Sequence, residues 1–375
     1  MEMRFEFATV SRIIFGSGSL AELKQIAPAF GSRSLAVISG NVDRARPLFD
    51  LLGEIPFVRI EGEPTLDRIR AAVPQALDRD LVIGFGGGSA LDSAKAIAAL
   101  ATNPGDPLDY LEVIGSGKPL VNAPLPFIGI PTTAGTGSEV TSNAVLASPE
   151  KRVKVSLRSP AMLAKVALVD PDLTLSLPSH LTAASGIDAI AQVLEPYVSK
   201  FATPITNALG ADGLRRAGAL RRAFEHGSDR EAREQMSMIS LLGGLALSNA
   251  KLGAAHGFAG PLGGMFPAPH GALVGALLPH VMAINVAALR SRAPEGVHRY
   301  DEAAALLTGK ADADAGCAFI RDLVQHLGIP RLSTYGIREA DFPAIVEQAA
   351  RASSMKGNPI VLTTDELTEI LARAL

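Results

Sequence analysis

LVIGFGGGSALDSAKAIAALA, residues 81–101, decides the fold. It opens with an uncharged, largely apolar run of strand length, then Gly86, Gly87 and Gly88, then a helix-like segment. The glycines let the backbone turn sharply and approach a ligand closely. Ser89 is placed to cap the helix and to bond a phosphate oxygen. The helix N-terminus offers free N–H groups and partial positive charge, a ready anion site. Asp92, in the first turn, suits the helix dipole or a hydroxyl partner. The segment is neither GxGxxG nor a Walker loop, because no Gly-Lys-Ser/Thr follows. A strand-to-helix turn without a ligand accounts for these residues equally well.

Similar apolar runs lie at 34–39, 56–60, 126–131 and 165–170, and helix-like stretches at 44–53 and 66–77 separate the early ones. Strands alternating with helices predict a parallel sheet covered on both faces. Short extra strands are expected at 144–148 and 153–157. A second polar loop, IPTTAGTGSEVTSNAV (130–145), follows a strand of the same sheet. Ligands of parallel sheets sit beyond the carboxyl ends of the strands, so both loops should share one edge and one phosphate-bearing cofactor. After Pro178 the strand-like runs end and alanine- and leucine-rich helical segments continue to the C-terminus. The fold class expected is therefore an α/β domain over residues 1–178 and an all-α domain over 179–375.

The chain has 375 residues, a net charge of −3 and 47% hydrophobic residues, enough to bury large cores and without the basic balance of a nucleic-acid binder. Cys317 is the single cysteine, which rules out an internal disulfide and a four-cysteine zinc site and suits a reducing, cytoplasmic setting. The opening MEMRFEFATV does not read as a signal peptide. The most membrane-like stretch, 272–289, is interrupted by Pro279, His280 and Asn285, so a helix buried in protein is expected and no membrane partner.

Two further stretches carry chemistry. In GIDAIAQ (186–192), Asp188 and Gln192 are spaced i, i+4 on one helix face among apolar residues. A carboxylate there needs a partner. AAHGFAGPLGGMFPAPHG (254–271) holds His256 and His270 among glycines, prolines and apolar residues. One carboxylate, one amide oxygen and two imidazoles make a plausible cage for a divalent metal. Hydrogen-bonded core histidines and an ordinary ion pair of Asp188 remain the alternative from spacing alone. The glycines and prolines are expected to shape two non-helical turns that aim the rings inward.

Taken in order, RIIFGSGSL (12–20), GGGSALDSAKAIA, IPTTAGTGSEVTSNAV, ALVDPDLTLSLP, GIDAIAQVLEPYVS and HGFAGPLGGMFPAPHG resemble the iron-containing, or group III, alcohol dehydrogenase family. The likeness covers nearly the whole chain. Relatives of that dehydroquinate synthase-like fold include glycerol dehydrogenase and maleylacetate reductase. The resemblance implies a dinucleotide-binding α/β domain, a helical domain, a nicotinamide cofactor in the cleft and a homodimer. It assigns Gly86, Gly87, Gly88, Ser89 and Asp92 to the pyrophosphate region, and Thr132, Thr133, Thr136, Thr141, Asn143 and Lys154 to the rest of the cofactor. It implies a metal, iron or zinc, on Asp188, Gln192, His256 and His270, with catalysis by the acid and the two histidines. The reaction implied is metal-assisted hydride transfer between NAD or NADP and an alcohol or aldehyde. A second reading is metal-free reduction of an unsaturated keto acid, as in maleylacetate reductase, with Arg158 gripping a carboxylate. A third is a cofactor-binding protein without turnover.

Three positions depart from the family pattern. Gln192 replaces a histidine ligand. Gly260 stands where many members have another histidine beside the nicotinamide. Gly40 takes the place of an acid found in NAD-preferring relatives, which leaves NADP admissible. Glu63 lies where relatives use an asparagine near the adenine side.

Overall fold

The computed structural model describes residues 4–375. The chain divides into two compact units, one comprising Thr9–Thr133 and Gly137–Leu175, the other Ser176–Leu375 with residues 134–136 and those up to Ala8.

The first unit is built on a six-stranded sheet of β1 (Ile13–Phe15), β2 (Ser34–Ser39), β3 (Phe57–Ile60), β4 (Leu81–Gly86), β5 (Phe127–Pro131) and β8 (Val166–Val169), in the order β1-β8-β5-β4-β2-β3. Every pairing is parallel. All residues of β4, β5 and β8 are buried, which is why these strands read as unbroken apolar runs instead of alternating ones. β6 (Asn143–Ser148) and β7 (Val153–Arg158) form a separate antiparallel pair. Gly86 pairs with Pro131 in the register of β4 and β5, and the Thr132 amide donates to Gly86 O at 2.9 Å. The glycine turn and the polar loop therefore leave the sheet side by side, on one edge. The turn leads into helix α1 (Gly88–Leu100).

In the helical unit, α2 (Ser179–Val198) lies at the centre and packs against α3 (Arg230–Ala250) and α5 (His270–Arg292). Between those two, α4 spans Ala254–Met265. α2 begins at Ser179. Gly186 is an interior helical position kept small because a Cβ there would stand 2.2 Å from Leu220 Cδ1. The glycine-rich stretch after Gly253 is a helix, not a non-helical turn, and includes Pro261. Its small residues serve packing: a Cβ at Gly257 would lie 2.8 Å from Met355 Cε. The apolar α5 is a core helix, and its most apolar 18-residue window, of mean hydropathy 1.9, is 83% buried within the protein.

Candidate metal centre and cofactor cradle

Helix α2 carries Asp188 and Gln192 one turn apart, and both are buried. The Gln192 amide donates to Asp188 Oδ2 at 3.0 Å. α4 brings His256 as its third residue, and α5 begins with His270. The start of α5 comes close to α2 because position 271 is glycine, where a Cβ would lie 2.2 Å from the Ala184 carbonyl oxygen. His256 Nε2 lies 3.1 Å from Asp188 Oδ1, and His270 Nε2 lies 3.9 Å from the same oxygen. One ligand atom from each of these three residues falls within 4.8 Å of the others. The two imidazole rings are 5.5 Å apart, centre to centre. His256 is buried, whereas the His270 side chain is 34% exposed, which leaves the centre one open side.

A second acid completes the arrangement and was not read from the sequence. Glu195, one turn beyond Gln192, is buried and accepts from His256 Nδ1 at 2.6 Å. Burial opposes a charge on His256, but the Glu195 carboxylate and the hydrogen bonds to Asp188 and Glu195 outweigh it and push the imidazole up to about 10. Burial likewise opposes the Asp188 charge, yet the His256 hydrogen bond and the two histidine charges hold it below the usual carboxylate value. A proton or a cation thus belongs between His256 Nε2 and Asp188. Metal and proton compete for that position. In metal-free protein the charged His256 contributes stability that is complete below its unfolded value of 6.5 and is lost as pH rises through about 10. Calorimetry of chelator-treated protein is therefore expected to show a falling Tm from neutral pH to pH ~10.

The residues fit a divalent ion. Gln192 Oε1 is buried without a hydrogen-bond partner, a state that costs about 1–3 kcal/mol and that a cation would relieve. One carboxylate oxygen, two imidazole nitrogens and this amide oxygen form a donor set suited to first-row ions such as iron or zinc. At Gly260 an added Cβ would meet nothing within 4 Å, so that side of α4 has room for a side chain that this chain lacks.

The cofactor candidates lie in the sheet unit, apart from Thr136, which falls in the segment 134–136. Gly86 takes φ +155°, where a Cβ would collide with Ser39 Oγ at 2.3 Å and Ala90 Cβ at 2.8 Å. Ser39, at the end of β2, accepts from the Gly87 amide at 3.2 Å and so helps shape the turn. Ser89 is not the cap of α1. The N-cap is Gly87, which offers no side chain, so the helix opens with its first amides available to an anion. Thr133 lies against Gly87, its side chain 3.3 Å from where a Cβ would stand.

Other candidates are engaged inside the protein. Asp92 accepts from Ser138 Oγ at 2.5 Å and from the Val145 amide at 2.9 Å, and pairs with Lys95 at 3.0 Å. Thr141 is buried and accepts from Lys95 Nζ at 2.8 Å, and the carbonyl of Asn143 is another acceptor of that ammonium. Lys95 is completely enclosed, and burial lowers its pKa against the pull of Asp92. Asp92 and Lys95 thus tie α1 to the polar loop and fix its shape, and the hydroxyl partner of Asp92 is Ser138 of that loop. Glu139, in the same loop, is buried with Oε2 unpartnered, and burial pushes its carboxyl up to about 7. Lys154 Nζ pairs with Glu63 at 2.9 Å, which gives Glu63 a physical role.

Residues 10–171 match the iron-containing alcohol dehydrogenase family, and residues 182–375 match the C-terminal part of the Fe-containing alcohol dehydrogenase family. The chain is 33% identical to choline dehydrogenase of Bacillus subtilis over 95% of this chain and 90% of that one. It is 37% identical to 1,3-propanediol dehydrogenase of Klebsiella pneumoniae over 85% and 82%. The solved sulfoacetaldehyde reductase of Bifidobacterium kashiwanohense, in complex with NAD+, superposes with a TM-score of 0.88 at 29% identity, covering 100% of this chain and 99% of that one. This chain belongs to the iron-containing alcohol dehydrogenase family. It is a nicotinamide-dependent oxidoreductase that acts on an alcohol or aldehyde.

Proposed function

We propose that Asp188, Gln192, His256 and His270 hold a divalent iron or zinc ion in this enzyme, and that Asp188 and the two histidines are its catalytic set. The observation that carries this reading is the convergence of Asp188, His256 and His270 beside the orphaned oxygen of Gln192. A bound ion supplies Lewis acidity toward the oxygen of an alcohol or aldehyde, and NAD or NADP supplies or takes the hydride. The protein does the rest. The glycine turn at 86–88 and Ser89 bind the pyrophosphate through main-chain amides. Thr132, Thr133, Thr136, Thr141, Asn143 and Lys154 line or shape the remainder of the cofactor site, with Asp92 holding the loop in place. The apolar neighbours of Asp188 and His256 keep water from their buried faces.

Substrates are small alcohols and aldehydes. The keto-acid reading needs a free cation, and its candidate, Arg158, is paired to Glu112 at 3.1 Å. A homodimer in the cytoplasm, with neither nucleic acid nor membrane as partner, completes the proposal: the dimer rests on the family resemblance, the compartment on the single cysteine, and the near-neutral charge argues against nucleic acid. The test is oxidation of NADH and NADPH with a panel of aldehydes after chelation and after return of ferrous or zinc ion. Turnover should vanish and return with the metal. Full turnover in metal-free protein contradicts the proposal.

Cofactor choice has its own test at Gly40. Its φ is +74° and a Cβ would meet nothing within 4 Å, while Arg59 Nε donates to its carbonyl at 2.7 Å. An acid placed there would face a 2′-phosphate with like charge, which disfavours NADPH by about 1.4 kcal/mol or more. Gly40→Asp is expected to lower the NADPH-to-NADH ratio of kcat/KM by about tenfold or more.

A further inference from the structure

We infer that Glu195 is the positioning residue of the metal centre, fixing both the ring of His256 and the start of the helix that carries it. The inference deepens the metal reading above and rests on it. Each carboxylate oxygen has one task. Oε2 accepts from His256 Nδ1 at 2.6 Å, and Oε1 accepts from the Ala255 amide at 2.7 Å. Helix α4 needs such outside help, because its N-cap, Gly253, offers no side chain for its first amides. Asn358 serves the neighbouring amide of Ala254 at 3.2 Å. Gly253 must stay small, since a Cβ would stand 2.9 Å from Glu195 Oε1 and 3.2 Å from Asn358 Oδ1.

With Nδ1–H given to a carboxylate, the ring is turned so that Nε2 faces Asp188 at 3.1 Å. The lone pair of neutral His256 then points at the ligand set. A carboxylate behind a ligating imidazole also makes the ring a stronger donor. Glu195 is only 4% exposed and both its oxygens are occupied, so it acts through His256 and not on the substrate.

Glu195→Gln separates these tasks. The Ala255 N–H still needs an oxygen, so the amide turns its NH2 toward His256 Nδ1 and donates to it. Neutral His256 must then carry its proton on Nε2, the atom that should ligate. The variant keeps the helix cap and reverses the ring. Asn358→Ala does the opposite: it removes a cap from the same helix and leaves the ring alone. The experiment measures zinc affinity of metal-free protein by chelator competition, with Tm recorded alongside, for wild type and both variants. Glu195→Gln is expected to weaken zinc binding about 10–100-fold, while Asn358→Ala lowers Tm and keeps near-wild-type affinity. Wild-type affinity in Glu195→Gln overturns the inference. So does an equal loss of affinity in Asn358→Ala, because a general disturbance at the start of α4, and not the direction of the ring, would then account for both losses. Wild-type protein that binds no zinc overturns the metal reading, and this inference with it.

Discussion

Replacing His270 with alanine is expected to lower kcat/KM by about a thousandfold, the loss of roughly 4 kcal/mol of Lewis-acid stabilisation when a ligand is removed. The fold should stand. His270 is the most exposed of the three converging residues, at 34%, and it opens its helix instead of sitting inside it. In metal-free protein a substitution at this partly exposed helix start should cost less than one inside the buried cluster, so the Tm of chelated samples should stay closer to wild type than for His256→Ala. His256 makes a poorer test. Its removal strands Asp188 and Glu195 as buried carboxylates, and breaking a buried pair in this way costs about 3–5 kcal/mol. Lost activity in His256→Ala could then reflect lost structure. Steady-state kinetics with melting curves on His270→Ala separate chemistry from folding, and near-wild-type kcat/KM there contradicts the catalytic assignment.

Gly86→Ala is the second large effect. The added Cβ would sit 2.3 Å from Ser39 Oγ and 2.8 Å from Ala90 Cβ, at a φ of +155° that only glycine adopts freely. Overpacking and backbone strain together cost about 2–4 kcal/mol. The turn can relax only by moving the amides that begin α1, so the cofactor KM should rise at least about tenfold, the change that roughly 1.4 kcal/mol of lost binding produces. Gly87→Ala is the milder neighbour. Its Cβ meets only the Thr133 side chain, at 3.3 Å, so both losses should be smaller than for Gly86→Ala. Equal effects at the two positions would show that the turn geometry does not govern cofactor binding.

What the sequence revealed depended on the range of the interactions involved. β2, β4, β5 and β8 were visible because burial on both faces leaves an unbroken apolar run. β1 was not, since Ile13–Phe15 is three residues long and exists through its pairing with distant β8. The i, i+4 pair of Asp188 and Gln192 is a local property of one helix, and it was legible. Glu195 lies in the same helix but went unread, because its meaning comes from His256, 61 positions away. Lys95 left a fainter signal: a lone lysine in an alanine-rich helix, buried to satisfy acceptors on the loop after β5. The stretch around His256 was misjudged because glycine and proline usually break helices, whereas here glycine at 257 serves close packing.

The most direct measurement is anomalous X-ray scattering from crystals of the protein loaded with zinc or ferrous ion, collected at the metal edge. One strong peak is expected at ordinary ligand distance, about 2.0–2.2 Å, from Asp188, His256 Nε2 and His270 Nε2, with the Gln192 oxygen turned toward it. A fully active, metal-loaded crystal with no peak among those side chains contradicts the proposed metal centre.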